Sequence, residues 1–212
     1  MPTVTRIQYE LPDAQFLNRM LTDDLILRYV KDSYEVSEHC LEFYDTPDWT
    51  LTSAGFSLDV EREEEIPVVR LACGRLATET RPGLCRGEEW TAPFMGLESA
   101  VEALLERGAP ERVRALLAGR PLQRNFYMLY SAKSTTLYLP DRTRILMSFN
   151  NGELVTGERR LSVYNLSMEL LFGEESLLVN YCEQICERFR LPPAEISREG
   201  KALRLMKEAE TV

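Results

Sequence analysis

Residues 44 to 60 read Tyr44-Asp45-Thr46-Pro47-Asp48-Trp49-Thr50-Leu51-Thr52-Ser53-Ala54-Gly55-Phe56-Ser57-Leu58-Asp59-Val60. An extended segment runs into a Pro-Asp turn and a short turn around Leu51. Ala54-Gly55 then opens a strand in which Phe56, Leu58 and Val60 alternate with polar positions.

Outward from that stretch the pattern stays rich in strands. Residues 3–11 read as a strand, and Asp13 is placed to cap a short helix through Leu17, Met20 and Leu21. Strands are expected near 25–35, 39–45, 56–62, 66–73 and 84–92. Leu97, Val101, Leu104 and Leu105 then mark an amphipathic helix ended by Gly108 and Pro110, and a short helix over 111–118 closes at Gly119. Strands follow near 122–131, 134–139, 143–149 and 162–171, with Asn150-Asn151-Gly152 read as a turn. A long helix over 174–190 and a last helix capped by Ser197 complete the chain. No linker divides it, so residues 1–212 are read as a single domain. Strand-rich halves split by helices, without strict βαβ alternation, predict an α+β protein whose antiparallel sheet closes, or nearly closes, into a barrel.

Composition narrows the function. The chain has 212 residues and a formal net charge of −9, which disfavours nucleic-acid binding because phosphate backbones are held by clustered Lys and Arg. No apolar run is long enough for a bilayer span or a secretory signal, so no membrane role and a cytoplasmic location are expected. Five cysteines at no zinc-like spacing point to reduced thiols. Cys182 and Cys186 share a helix face with Leu178, Tyr181, Ile185 and Phe189, which favours core packing over a metal pair. His39, the sole histidine, is read as an exposed loop residue. The run Glu61-Arg62-Glu63-Glu64-Glu65 reads as a solvated hairpin end without chemistry.

The stretch from Tyr44 to Gly55 resembles the signature of the CYTH superfamily, the triphosphate tunnel enzymes. Further pieces fit the same order: Arg86-Gly87-Glu88-Glu89-Trp90, Asn150-Asn151-Gly152, Ser167 to Gly173, and Ser197-Arg198. The resemblance implies a barrel of about eight antiparallel strands with flanking helices around a tunnel. There, basic side chains grip a triphosphate and several glutamates hold Mg²⁺ or Mn²⁺.

This chain departs from that pattern. The family's N-terminal Glu-x-Glu-x-Lys falls on Thr5, Ile7 and Tyr9, or in the other register on Arg6, Gln8 and Glu10. Its usual Arg-x-Arg becomes Asp59 and Glu61, its lysine before Gly74 becomes Cys73 with Leu71 and Val69 on the same face, or Arg70 in the shifted register, and its late acidic motif is reduced to Ser167, Glu169 and Leu171. The resemblance carries over Arg86, Arg124, Arg144, Arg198 and Lys201 as ligand-binding candidates, and Glu88 and Glu169 as metal candidates. Inward Arg86, Arg124 and Arg144 then face Asp59, Glu61, Glu88 and Glu169, a field that repels a bare triphosphate. The preferred expectation is a divergent CYTH-like protein without triphosphatase activity that binds another small anionic or organic ligand or serves as a scaffold. The alternative is a Mg- or Mn-dependent inorganic triphosphatase, thiamine-triphosphatase-like enzyme or adenylate cyclase.

Overall fold

The computed structural model describes residues 3–62, 65–76, 83–194 and 197–210. Glu63 and Glu64, in the acidic run, lie outside the described residues. Eight antiparallel strands close a barrel in the order β1-β5-β4-β3-β2-β6-β7-β8. They are β1 (Thr3–Glu10), β2 (Glu35–Asp45), β3 (Phe56–Glu61), β4 (Val68–Leu76), β5 (Leu84–Pro93), β6 (Gln123–Tyr138), β7 (Arg144–Thr156) and β8 (Arg159–Phe172). The helices are α1 (Ala14–Leu21), α2 (Asp24–Leu27), α3 (Thr50–Ser53), α4 (Leu97–Glu106), α5 (Arg112–Leu117), α6 (Glu175–Phe189) and α7 (Arg198–Glu210). Among the described residues no helix is long and apolar enough to cross a membrane.

The deciding stretch folds around one carboxylate. Buried Asp45 accepts the backbone N–H groups of Thr46 at 2.7 Å, Leu51 at 2.9 Å and Thr52 at 2.8 Å. Those last two donors belong to α3, whose N-cap Trp49 sits in the left-handed region and supplies no side-chain cap. Thr46 Oγ1 donates to Asp48 at 2.6 Å and accepts from the Thr50 N–H at 2.9 Å. Gly55, at φ +82°, then redirects the chain into β3.

Two apolar layers coat the outside of the barrel. Ile7 and Tyr9 of β1, with Leu84, Leu137, Ile145, Met147, Phe149, Leu166 and Met168, pack against α6 through Leu178, Cys182 and Ile185. Leu58, Val60, Val69, Leu71, Trp90 and Ala92 pack against α4 and α5 through Ala100, Leu104, Val113 and Leu117. A third cluster lies within: Leu41, Phe43, Phe126, Met128, Leu154 and Val163 enclose Ala202 of α7, with Leu205 beside it. The last helix therefore closes one mouth of the barrel.

Several local expectations are corrected. Residues 25–35 hold α2 and an irregular segment in place of most of the expected strand. Residues 122–131 and 134–139 form one strand, β6, with no turn between them. The Asn150-Asn151-Gly152 segment is also strand: these residues pair with Ala132, Ser131 and Tyr130, and the turn comes later, at Gly157 with φ +56°. Gly152 is needed there for contact, since a Cβ would come within 2.0 Å of the Leu129 carbonyl. His39 lies in β2 and is tied into the barrel, as described below.

Candidate functional site

Strand pairing fixes which side chains face the lumen, because successive residues point to opposite faces. Across the barrel, Arg6 pairs with Cys85 and Glu169, Gln8 with Ser167, and Glu10 with Asn165. Asp59 pairs with Arg70 and Phe43, and Ala72 with Glu89 and Ser57. These residues face inward. The expected inward set on β1 and β4, namely Thr5, Ile7 and Tyr9 with Val69, Leu71 and Cys73, has the opposite parity, and Ile7, Tyr9, Val69 and Leu71 are packed under helices.

A cavity of about 480 Å³ opens on the lumen between β1, β5, β4, β3 and the start of α7. Its walls include Arg6, Gln8, Ser57, Asp59, Arg70, Glu88 and Glu89, together with Ser197, Arg198 and Glu199 at the amino end of α7. Val4, Ala72, Gly74 and Gly87 contribute small side chains or none, which leaves the space open.

Two of the three arginines on the cavity wall, Arg6 and Arg70, are engaged by acids. Arg6 Nε donates to Glu169 at 2.9 Å. Arg70 reaches both oxygens of Asp59, at 3.2 and 2.7 Å, in a bidentate pair whose carboxylate is almost wholly buried. Around them, Glu199 accepts a hydrogen bond from Ser57, and Lys201 pairs with Glu10 at 2.8 Å. Glu89 approaches Arg70 only at 4.0 Å. With the pairs removed, Glu89 and Glu199 stand against Arg198 on the cavity wall, while Glu88 borders the cavity with the outward parity of its strand neighbour Arg86.

Higher in the lumen, His39 Nδ1 lies 3.3 Å from Glu61 and Nε2 lies 2.8 Å from Ser37 Oγ, with the ring stacked on Tyr130 at 4.8 Å. The connectivity is that of a nucleophile, a base and an orienting acid. Ser37, however, is exposed and stands outside the cavity lining, so the trio reads as a polar tie between β2 and β3.

The residues carried over from the resemblance scatter. Arg86 has outward parity and donates to Glu175 of α6 at 3.0 Å. Arg124 is turned outward by a bulge, since Phe43 faces Phe126 while Tyr44 faces Arg124, leaving Asn125 as the extra residue. It donates to Glu42 at 2.6 Å. Arg144 opens β7 exposed, over the Tyr138 ring at 5.4 Å. Arg198 lines the cavity, while Lys201 is held by Glu10. Glu88 borders the cavity, but it pairs with Thr3 whereas Glu169 pairs with Arg6, on the other side of β1 and three positions along it. The structure does not bring these two carboxylates together. Among the described residues, no three His, Cys, Asp or Glu side chains gather to hold a metal ion.

Arg6, Arg70 and Glu89 needed a different parity to be found. The signal was present in the apolar alternation of the helix-covered strands: β1 under α6 and β4 under α4 turn their apolar face outward, so the polar residues between Ile7 and Tyr9, or between Val69 and Leu71, belong to the lumen, whereas β2 and β6 turn Phe43 and Phe126 inward.

A closed eight-stranded antiparallel barrel with flanking helices and an open, charged lumen is the triphosphate-tunnel fold that the CYTH resemblance implied. Solved structures share it. A putative adenylate cyclase from Bacillus halodurans superposes with a TM-score of 0.55 at 13% identity, covering 93% of this chain and 96% of that one. A putative adenylyl cyclase from Hippeastrum, described as having a dominant triphosphatase activity, gives 0.53 at 16% identity over 91% of this chain and 90% of that one. The PH1819 protein of Pyrococcus horikoshii gives 0.52 at 12% identity over 96% and 99%. No protein-family model and no curated protein matches the chain. At these identities the likeness is one of fold.

Proposed function

We propose that this protein binds a small molecule in its barrel and does not hydrolyse triphosphates. One observation carries the reading: the two strand arginines on the cavity wall, Arg6 and Arg70, are held by Glu169 and Asp59, which leaves Arg198 as the wall arginine without an acid partner among the described residues. A triphosphate brings several negative charges, and its binding requires uncommitted cations facing them. Here the wall carries more carboxylates than free cations, so its field opposes a polyanion. The five free cysteines support a reducing, cytoplasmic setting.

The test is phosphate release and cyclic-nucleotide formation from tripolyphosphate, thiamine triphosphate and ATP with Mg²⁺ or Mn²⁺, beside the melting temperature with each. Neither turnover nor a rise in melting temperature is expected. Metal-dependent phosphate release that disappears in Arg6→Ala or Glu169→Ala overturns the proposal and restores the triphosphatase reading suggested by the Hippeastrum protein.

A further inference from the structure

The cavity leaves a specific set of charges uncommitted. Arg198, the first residue of α7, has no hydrogen bond or ion pair to a described residue. Glu89 has only the 4.0 Å approach of Arg70, whose guanidinium is already taken by Asp59. Gln8 and Ser53 add neutral polar groups to the same walls. The amino end of α7 reinforces the positive side, since its peptide dipoles place partial positive charge beside Arg198.

We propose that the cavity takes a small zwitterion, a molecule carrying a protonated amine together with one phosphate monoester or carboxylate group. Arg198 receives the anionic group. Glu89 receives the ammonium, whose three donors match its carboxylate and neighbouring neutral acceptors such as those of Gln8 and Ser53. This assignment rests on the cavity being a binding site rather than a hydrolytic one.

Simpler ligands fit less well. A lone anion meets Arg198 but also the surplus carboxylates, and a lone amine leaves Arg198 facing a like charge. A bare divalent cation needs about six oxygen ligands, and no three acidic, histidine or cysteine side chains gather among the described residues.

Isothermal titration of the full chain tests the pairing of charges. The probes are phosphoethanolamine against ethyl phosphate, glucosamine 6-phosphate against glucose 6-phosphate, and 4-aminobutyrate against butyrate. The first two pairs carry phosphate and the third carboxylate, which separates the two anion sources. At least one aminated probe is expected to bind, about tenfold or more tighter than its deaminated counterpart. Glu89→Gln is expected to erase that preference, and Arg198→Gln to weaken the aminated probe by a similar factor. Binding by no aminated probe, equal binding within every pair, or titrations unchanged in both variants overturns the assignment. The comparison within the unmodified protein decides the matter even if a variant misfolds. Phosphate release from tripolyphosphate sinks the proposed function, whereas silence toward both triphosphates and aminated probes sinks this inference alone.

Discussion

Asp45 is buried with both carboxylate oxygens turned back onto the chain that follows it, accepting from three backbone N–H groups of the β2–β3 connection. Two of these donors, Leu51 and Thr52, are otherwise orphans of a short helix whose N-cap, Trp49, provides no side-chain acceptor. Asp45→Ala is therefore expected to lower stability by about 3 kcal/mol, because buried donors lose a charged acceptor and gain no water. Asp45→Asn, which keeps an acceptor oxygen, should lose roughly half of that. Urea midpoints of both variants check it, and near-equal midpoints for Asp45→Ala and the parent chain would contradict the role assigned to Asp45. The turn was legible in the sequence through Pro47, Asp48 and Gly55, which announce it by local backbone preference. That Asp45 caps a helix from six residues upstream was not, because the bond forms only when the chain has already folded back.

At the scale of the element, one extra residue decides where an arginine points. Asn125 is the bulge in β6, and it sends Arg124 to the outer face, where Glu42 also accepts from Arg62 Nε at 2.6 Å and from the Tyr44 hydroxyl at 2.9 Å. Burial pushes the Glu42 pKa up, but the hydrogen bonds from Arg124, Arg62 and Tyr44 outweigh it and hold the carboxyl below its ordinary value. A depressed carboxyl contributes stability that is full above its unfolded pKa and is lost as pH falls through the folded value. Between about pH 6 and about pH 3 the parent chain should therefore lose more of its urea midpoint than Glu42→Gln. Equal losses in the two proteins would remove Glu42 as the source. Strand existence and approximate order were readable from period-two alternation. The inward or outward sense of each strand was not, since a one-residue shift exchanges the faces and a bulge does so locally. Arg86 shows the consequence: its neighbours in the sequence fit the family's order, yet its side chain meets α6.

At the scale of the molecule, the barrel is closed at one mouth by its own last helix, and that plug also delivers Arg198 to the cavity. Ala202 is fully buried among Leu41, Phe43, Phe126, Met128, Leu154 and Val163. The helix is tied to the rim by Ser57–Glu199, by Lys201–Glu10 and by Arg159, which donates to the Leu205 carbonyl at 3.4 Å. The sequence supplied the helix and its capping Ser197, whose hydroxyl accepts the Gly200 N–H at 3.1 Å. Its place inside the mouth follows from apolar residues on four strands converging in space, which no local pattern encodes. Ala202→Glu puts a carboxylate into that dry cluster with no cation arranged to meet it, an insertion expected to remove about 3–5 kcal/mol. For a chain of this size that corresponds to a fall in melting temperature of about 6 °C or more. Met206, on the exposed side of the same helix, provides the control: Met206→Gln should stay within about 0.5 kcal/mol of the parent. If α7 is the plug, Ala202→Glu should also bind a dye specific for exposed apolar surface, because releasing the helix uncovers Phe43 and Phe126. A variant that melts like Met206→Gln and binds no dye would show that the mouth stays closed without α7.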